Sequence, residues 1–118
     1  VDERGEIAAC FQGVSQNDLG IRTDVLSNIP KAMGMKMLLR SMAPEVIVAD
    51  EIGGKEDIDA INYITNSGVK GIFTAHANSI QNLKKNKIIN ELIEEKIFEK
   101  IIFLSETEKG KIKSIIEL

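Results

Sequence analysis

A short apolar run that ends in two adjacent acids constrains this sequence more than any other feature. Residues 43–54 read APEVIVADEIGG, so Val46–Ala49 are followed by Asp50, Glu51 and, after Ile52, two glycines. Four consecutive apolar residues without alternation predict a strand that is buried on both faces. Buried strands seldom end in two carboxylates. The acids therefore either mark the return of the chain to solvent or form a site that requires negative charge.

The segments around this run predict an α/β fold. Strands and helices alternate, which favours a mainly parallel sheet with flanking helices and a C-terminal antiparallel hairpin across a turn at 108–111. A long loop is expected over 11–30. The length of 118 residues suits one domain. The expected strands cover 1–9, 45–50, 69–75, 100–104 and 112–118, and the expected helices cover 31–42, 55–66, 79–86 and 88–95.

Polar residues follow two of the predicted parallel strands. Asp50 and Glu51 end one strand, and Thr74 and His76 end the next. Ligands bind at the carboxyl ends of strands in such sheets, so we expect these residues to share one rim. In nucleoside-triphosphate hydrolases the first acid holds Mg²⁺, the second polarises the attacking water, and nearby hydroxyl or imidazole groups contact the terminal phosphate. The alternative is that the acids begin an ordinary turn and that His76 enters a loop.

Arginines are the second candidate group. The chain has three arginines and twelve lysines. Arg22 lies in the predicted long loop, and Arg40 lies near the end of a predicted Met-rich helix. An arginine that reaches a phosphate can stabilise transition-state charge. The alternative for each is a surface ion pair.

Composition excludes several kinds of function. A net charge of −3, with four Phe, one Tyr and no Trp, argues against a nucleic-acid surface. Cys10 is the only cysteine, which excludes an internal disulfide and a multi-cysteine metal site. No apolar run approaches the roughly 18 residues of a membrane-spanning helix. We therefore expect a cytoplasmic protein without direct membrane insertion.

Four segments of the chain carry a family resemblance. They are VDERGEIA (1–8), GVSQNDLGIRTDVL (13–26), KAMGMKMLLRSMAPEVIVADEIG (31–53) and TAHANSIQNL (74–83). Together they resemble the stage III sporulation protein AA family, ATPases related to the motors of type II and type IV secretion and of pilus assembly. The match runs through nearly the whole chain and implies a P-loop NTPase fold of the RecA/ASCE type, with ATP and Mg²⁺ as cofactors.

The resemblance implies roles for four acids. VIVADE is similar to a Walker B strand, with Asp50 toward Mg²⁺ and Glu51 as the catalytic glutamate. VDERGEIA is similar to the acidic box of secretion motors, in which Asp2 would approach the metal and Glu3 the attacking water.

The resemblance also implies roles for polar and basic residues. TAHA is similar to the histidine box, which places Thr74 and His76 near the terminal phosphate. Arg22 and Arg40 fall where the family has arginines, and they would reach a nucleotide across a subunit boundary. Relatives form hexameric rings that drive a membrane channel from the cytoplasmic side. The sporulation members act in the mother cell, at the membrane that faces the forespore.

One motif of the family is missing from these residues. No GxxxxGK[ST] occurs, although that loop cradles the phosphates in such enzymes. Residues 1–118 therefore resemble the C-terminal part of a motor domain, without the Walker A strand and loop, and we expect them to be inactive alone. We also expect exposed sheet edges that rearrange, pair with another copy or bind the missing segment.

Two alternative functions remain open at this point. The chain could be a non-catalytic module for ring assembly, in which the acids and His76 serve as subunit contacts. It could also belong to a nucleic-acid motor, because that wider superfamily shares the Asp-Glu strand. The acidic charge balance and the few aromatic residues argue against the nucleic-acid motor.

Overall fold

The computed structural model describes residues 1–118, which divide into two compact units, Val1–Ala75 and His76–Leu118. The length alone had suggested one domain. The first unit contains α1, β1, α2 and β2, and the second contains α3, α4, β3 and β4. In chain order the elements are α1 (Lys31–Ser41), β1 (Val46–Ala49), α2 (Lys55–Asn66), β2 (Lys70–Phe73), α3 (Ile80–Lys85), α4 (Lys87–Glu94), β3 (Lys100–Leu104) and β4 (Ile112–Glu117).

The first unit is built on a parallel pair of strands. β1 and β2 run side by side with Val46 opposite Lys70, and α2 connects them. The apolar residues of α2 fall at helical spacing, so Ile58, Ile61 and Ile64 form a buried face, as predicted. The helix ends where predicted, because Gly68 takes a left-handed φ of 84° that only glycine adopts without strain.

The prediction that β1 is buried on both faces is wrong. Ile47 and Ala49 are buried, but Val46 and Val48 are 47% and 39% exposed. Ile72, which lies opposite Val48 on β2, is also exposed. The sheet has only two strands, and one of its faces remains open to solvent. Exposed sheet edges that rearrange, pair with another copy or bind a missing segment stay a prediction.

The predicted strand over residues 1–9 is also wrong. This segment makes only an isolated bridge, in which the Asp2 N–H donates to Leu26 O at 2.7 Å and Asp2 O accepts from Asn28 N–H. The chain then turns back on itself, with positive φ at Gly5 and Ala9. The cause is the buried Asp2 carboxylate, which binds backbone N–H groups a few residues later and so excludes an extended strand.

The second unit contains two short helices and the predicted antiparallel hairpin. The Ser79 hydroxyl accepts the Asn82 N–H at the start of α3, and Asn86 Oδ1 accepts the Ile88 and Ile89 N–H groups at the start of α4. These caps confirm the predicted break near Asn86. β3 and β4 pair with Ile102 opposite Ile115. Leu83, Ile89 and Ile93 form a buried apolar cluster in this unit, and Leu92 and Phe103 are also buried.

The predicted α/β class is confirmed, with a small parallel sheet and a C-terminal antiparallel hairpin. None of the helices combines the length and the apolar character that crossing a membrane would require.

Candidate functional site

Asp50 follows β1 directly and is buried without a hydrogen-bond partner. The residue is only 7% exposed, and neither carboxylate oxygen receives a hydrogen bond. A buried carboxylate without a donor is energetically unfavourable, so such a group indicates a cation or a polar ligand.

Glu51 is held by the end of the neighbouring strand. Its backbone N–H donates to Thr74 Oγ1 at 2.9 Å, and the N–H of Ile52 donates to Thr74 O at 2.9 Å. Glu51 has a φ of 47°, a left-handed conformation that is uncommon for a residue with a side chain. The ends of β1 and β2 thus meet at one rim, where the Thr74 hydroxyl fixes the backbone that carries Glu51.

Asp2 uses both carboxylate oxygens to shape the segment that follows it. Oδ2 accepts the Ala8 N–H at 2.8 Å, and Oδ1 accepts the Ile7 N–H at 3.2 Å. Burial raises the pKa of Asp2, but the backbone hydrogen bonds outweigh it, so the net pKa lies below the ordinary value. The side chain therefore holds residues 2–8, hereafter the acidic turn, in a folded-back conformation.

Glu3 lies on the acidic turn and binds the start of α1. Its Oε2 accepts hydrogen bonds from Lys31 Nζ at 2.6 Å and from the Lys31 N–H at 3.3 Å. The hydrogen bond from the Lys31 ammonium lowers the pKa of Glu3 more than burial raises it. An anion at this position is further stabilised by the dipole of α1.

Arg4 connects the acidic turn to Glu51. The Arg4 guanidinium forms an ion pair with Glu51 Oε2, and it also lies 3.4 Å from Glu6 Oε1. Neither Arg4 nor Lys31 was among the predicted site residues. The signal for Arg4 was its place within VDERGEIA, after Asp2 and Glu3 and before Glu6, but its partner could not be deduced without the turn.

The other predicted residues lie in different surroundings. Arg22 is highly exposed and lies 3.9 Å from Glu45, and the Arg40 guanidinium lies 5.9 Å from the centre of the Tyr63 ring. His76 is exposed and is the first residue of the second unit. The structure therefore brings Glu51 together with Thr74 and Arg4, whereas roles for the two other arginines and for His76 stay predictions.

A cleft opens beside Glu3, between the first turns of α1 and α2. Glu3 is the one predicted site residue on its wall. The lining residues are Glu3, Pro30, Lys31, Ala32, Gly54, Lys55, Glu56 and Asp57. Asp2, Asp50 and Glu51 are not among the residues that line this cleft.

The donor set suits Mg²⁺ better than a tightly caged metal. No cluster of three or more His, Cys, Asp or Glu side chains forms a complete metal site in this chain. Mg²⁺ is commonly held by one or two carboxylates together with waters and substrate phosphates. The buried and unpartnered Asp50 fits that pattern.

Comparison with known proteins places this sequence in a family. The sequence profile described as "Sporulation stage III, protein AA" matches residues 1–118. Stage III sporulation protein AA of Bacillus subtilis (strain 168) is 47% identical over 105 residues, which cover 89% of this chain and 34% of that protein. The chain thus spans about a third of the length of its curated relative. No solved structure shows significant similarity to this chain. The chain therefore belongs to the sporulation stage III protein AA family.

Proposed function

We propose that this chain is the catalytic rim of a sporulation ATPase with a partial P-loop NTPase fold. The observation that carries the proposal is Asp50, a buried carboxylate without a hydrogen-bond partner, immediately before Glu51 at the end of a parallel strand. A rigid strand end suits carboxylates that must be held precisely, because small displacements reduce rates strongly.

In this proposal the two adjacent acids have different tasks. Asp50 would hold Mg²⁺, which would neutralise phosphate charge when ATP is bound. Glu51 orients and polarises the water that attacks the terminal phosphoryl group. Its partly exposed carboxylate can meet water, while the Thr74 hydroxyl fixes its backbone. These environments match the tasks, since the metal ligand is shielded and the water-activating group is accessible.

The acidic turn supports this rim. Both oxygens of Asp2 accept backbone N–H groups, so we assign Asp2 to holding the turn in place of its predicted metal contact. Glu3 stays a candidate for contact with the attacking water, on condition that its bond to Lys31 opens. His76, Arg22 and Arg40 remain proposed nucleotide contacts from other parts of the chain or from a neighbouring subunit.

The wider assembly is proposed from family resemblance. The full-length protein would form a hexameric ring in the mother-cell cytoplasm, at the membrane that faces the forespore. There it would use ATP hydrolysis to assemble a channel between the two cells or to drive transport through it. Its partners would be further copies of itself and the membrane proteins of that channel.

Substitution of Glu51 by Gln in the full-length protein tests the catalytic proposal. Gln keeps the shape of the side chain but cannot act as a base, so turnover should fall by about 100-fold or more, as expected for loss of a general base. ATP affinity should change little, because Asp50 and the phosphate contacts remain. Steady-state phosphate release and binding of a fluorescent ATP analogue measure the two quantities.

Glu108→Gln is the matched control. Glu108 is an exposed acid that pairs with Lys111 in the second unit, so the same chemical change there should leave turnover unaltered. Wild-type turnover in Glu51→Gln, or an intact oligomer without any ATP turnover, would contradict the catalytic proposal.

A non-catalytic module for ring assembly is the second candidate. It is favoured by the ion pairs of Glu51 with Arg4 and of Glu3 with Lys31, which occupy both proposed catalytic glutamates. In that case Arg4→Gln and Lys31→Gln should alter ring formation, measured by analytical ultracentrifugation, while no variant hydrolyses ATP.

A further inference from the structure

Arg4 lies between two carboxylates that compete for it. Its guanidinium forms an ion pair with Glu51, and the same nitrogen lies 3.4 Å from Glu6. Arginine donates several hydrogen bonds and accepts none, so it can exchange one acceptor for another without leaving the turn.

The two partners are presented by well-fixed backbone. Arg4 and Glu6 lie on the acidic turn, which the buried Asp2 holds through the N–H groups of Ile7 and Ala8. Glu51 lies at the end of β1, where Thr74 binds its N–H. The Arg4–Glu51 contact is therefore set by the fold, and only the side chains need to move for it to open.

The pair itself is weak enough to open readily. The Arg4 and Glu51 side chains are 55% and 35% exposed. Ion pairs exposed to this degree contribute little stability and are screened by salt. The closed pair therefore lowers the population of the competent state by no more than about five-fold.

We propose that Arg4 restrains Glu51, an inference that rests on the proposed ATPase function: the Arg4–Glu51 ion pair is a resting contact that must open before Glu51 can polarise water. A carboxylate bound to a guanidinium is neutralised and partly occupied, so it is a poor partner for water. When the pair opens, Glu6 receives Arg4. Arg4 thus regulates the site without being a catalytic residue.

The experiment compares ATP turnover of the full-length protein at saturating ATP in the wild type, Arg4→Gln, Glu6→Gln and Glu51→Gln. Arg4→Gln should raise turnover by up to about five-fold, because no ion pair holds Glu51. Glu6→Gln should lower turnover, because Arg4 loses its second anionic partner and remains with Glu51. Raising the salt concentration should bring the wild type closer to Arg4→Gln, since salt weakens exposed ion pairs.

Controls separate the possible outcomes. Lys111→Gln breaks an exposed ion pair with Glu108 in the second unit and should leave turnover unchanged. Should Arg4→Gln fail to fold, Arg4→Lys, which weakens the pair but keeps the charge, should give a smaller increase. If Glu51→Gln abolishes turnover but Arg4→Gln lowers it or leaves it unchanged, the restraint is overturned while the ATPase function stands. If the wild type shows no turnover, or Glu51→Gln retains it, both proposals fall together.

Discussion

Replacing Asp2 by Ala tests whether this buried carboxylate shapes the acidic turn. The substitution removes the acceptor for the N–H groups of Ala8 and Ile7. Ala8 is fully buried and its hydrogen bond is short, at 2.8 Å, whereas the Ile7 bond is 3.2 Å long and partly buried. A buried N–H without an acceptor costs about 1–3 kcal/mol, so the two together should lower the free energy of unfolding by about 2–4 kcal/mol.

The pH dependence of this effect has a definite sign. Burial raises the pKa of Asp2, but the backbone hydrogen bonds bring the pKa below its ordinary value. A lowered folded-state pKa stabilises the fold above the unfolded-state value, near pH of about 4, and this stabilisation is lost as the pH falls through the folded-state pKa. The difference between wild type and Asp2→Ala should therefore be largest near neutral pH and shrink in acid.

Urea unfolding of the 118-residue chain measures this difference. Tyr63 is the only tyrosine, there is no Trp, and α2 carries Tyr63 in the first unit, so its fluorescence reports on that unit. Asp18→Ala is the control, because Asp18 accepts the Gly20 N–H in an exposed turn. A loss below about 0.5 kcal/mol for Asp2→Ala, no larger than expected for a surface substitution, would refute the reasoning.

Two further predictions concern individual hydrogen bonds. Thr74→Val removes the acceptor of the Glu51 N–H, so turnover of the full-length protein should fall about two- to ten-fold while ATP affinity stays unchanged. Thr74→Ser keeps the hydroxyl and should retain turnover. Equal turnover rates in the two variants would contradict this role of Thr74. Asn86→Ala removes the cap of α4 and should destabilise that helix by about 1 kcal/mol, measured by hydrogen exchange of its amides. Unchanged protection of those amides would show that the cap contributes nothing.

Local patterns in the sequence predicted most of the helices and strands. The bounds of α2 follow from its apolar spacing and from Gly68, and the junction between α3 and α4 follows from Ser79 and Asn86. The first nine residues could not be predicted in this way. Their conformation depends on hydrogen bonds from the backbone to one carboxylate, and alternation of apolar and polar residues does not encode such bonds.

The candidate site was predictable only in part. Parallel strands place their carboxyl ends together, so the proximity of Glu51 and Thr74 could be expected. The ion pairs of Arg4 and Lys31 depend on how the acidic turn folds against α1, which no periodic pattern reveals. The prediction that both faces of β1 are buried was wrong because burial depends on how many layers cover the sheet, which the local sequence does not reveal.

The backbone at Glu51 has a consequence for how this position evolves. A glycine there would adopt the same φ of 47° without the steric penalty of a side chain, which amounts to about 1–2 kcal/mol. Selection for stability alone would therefore favour glycine over glutamate at this position. If the carboxylate is needed for function, surveys of natural variants should find glutamate at this position more often than its conformation alone would favour.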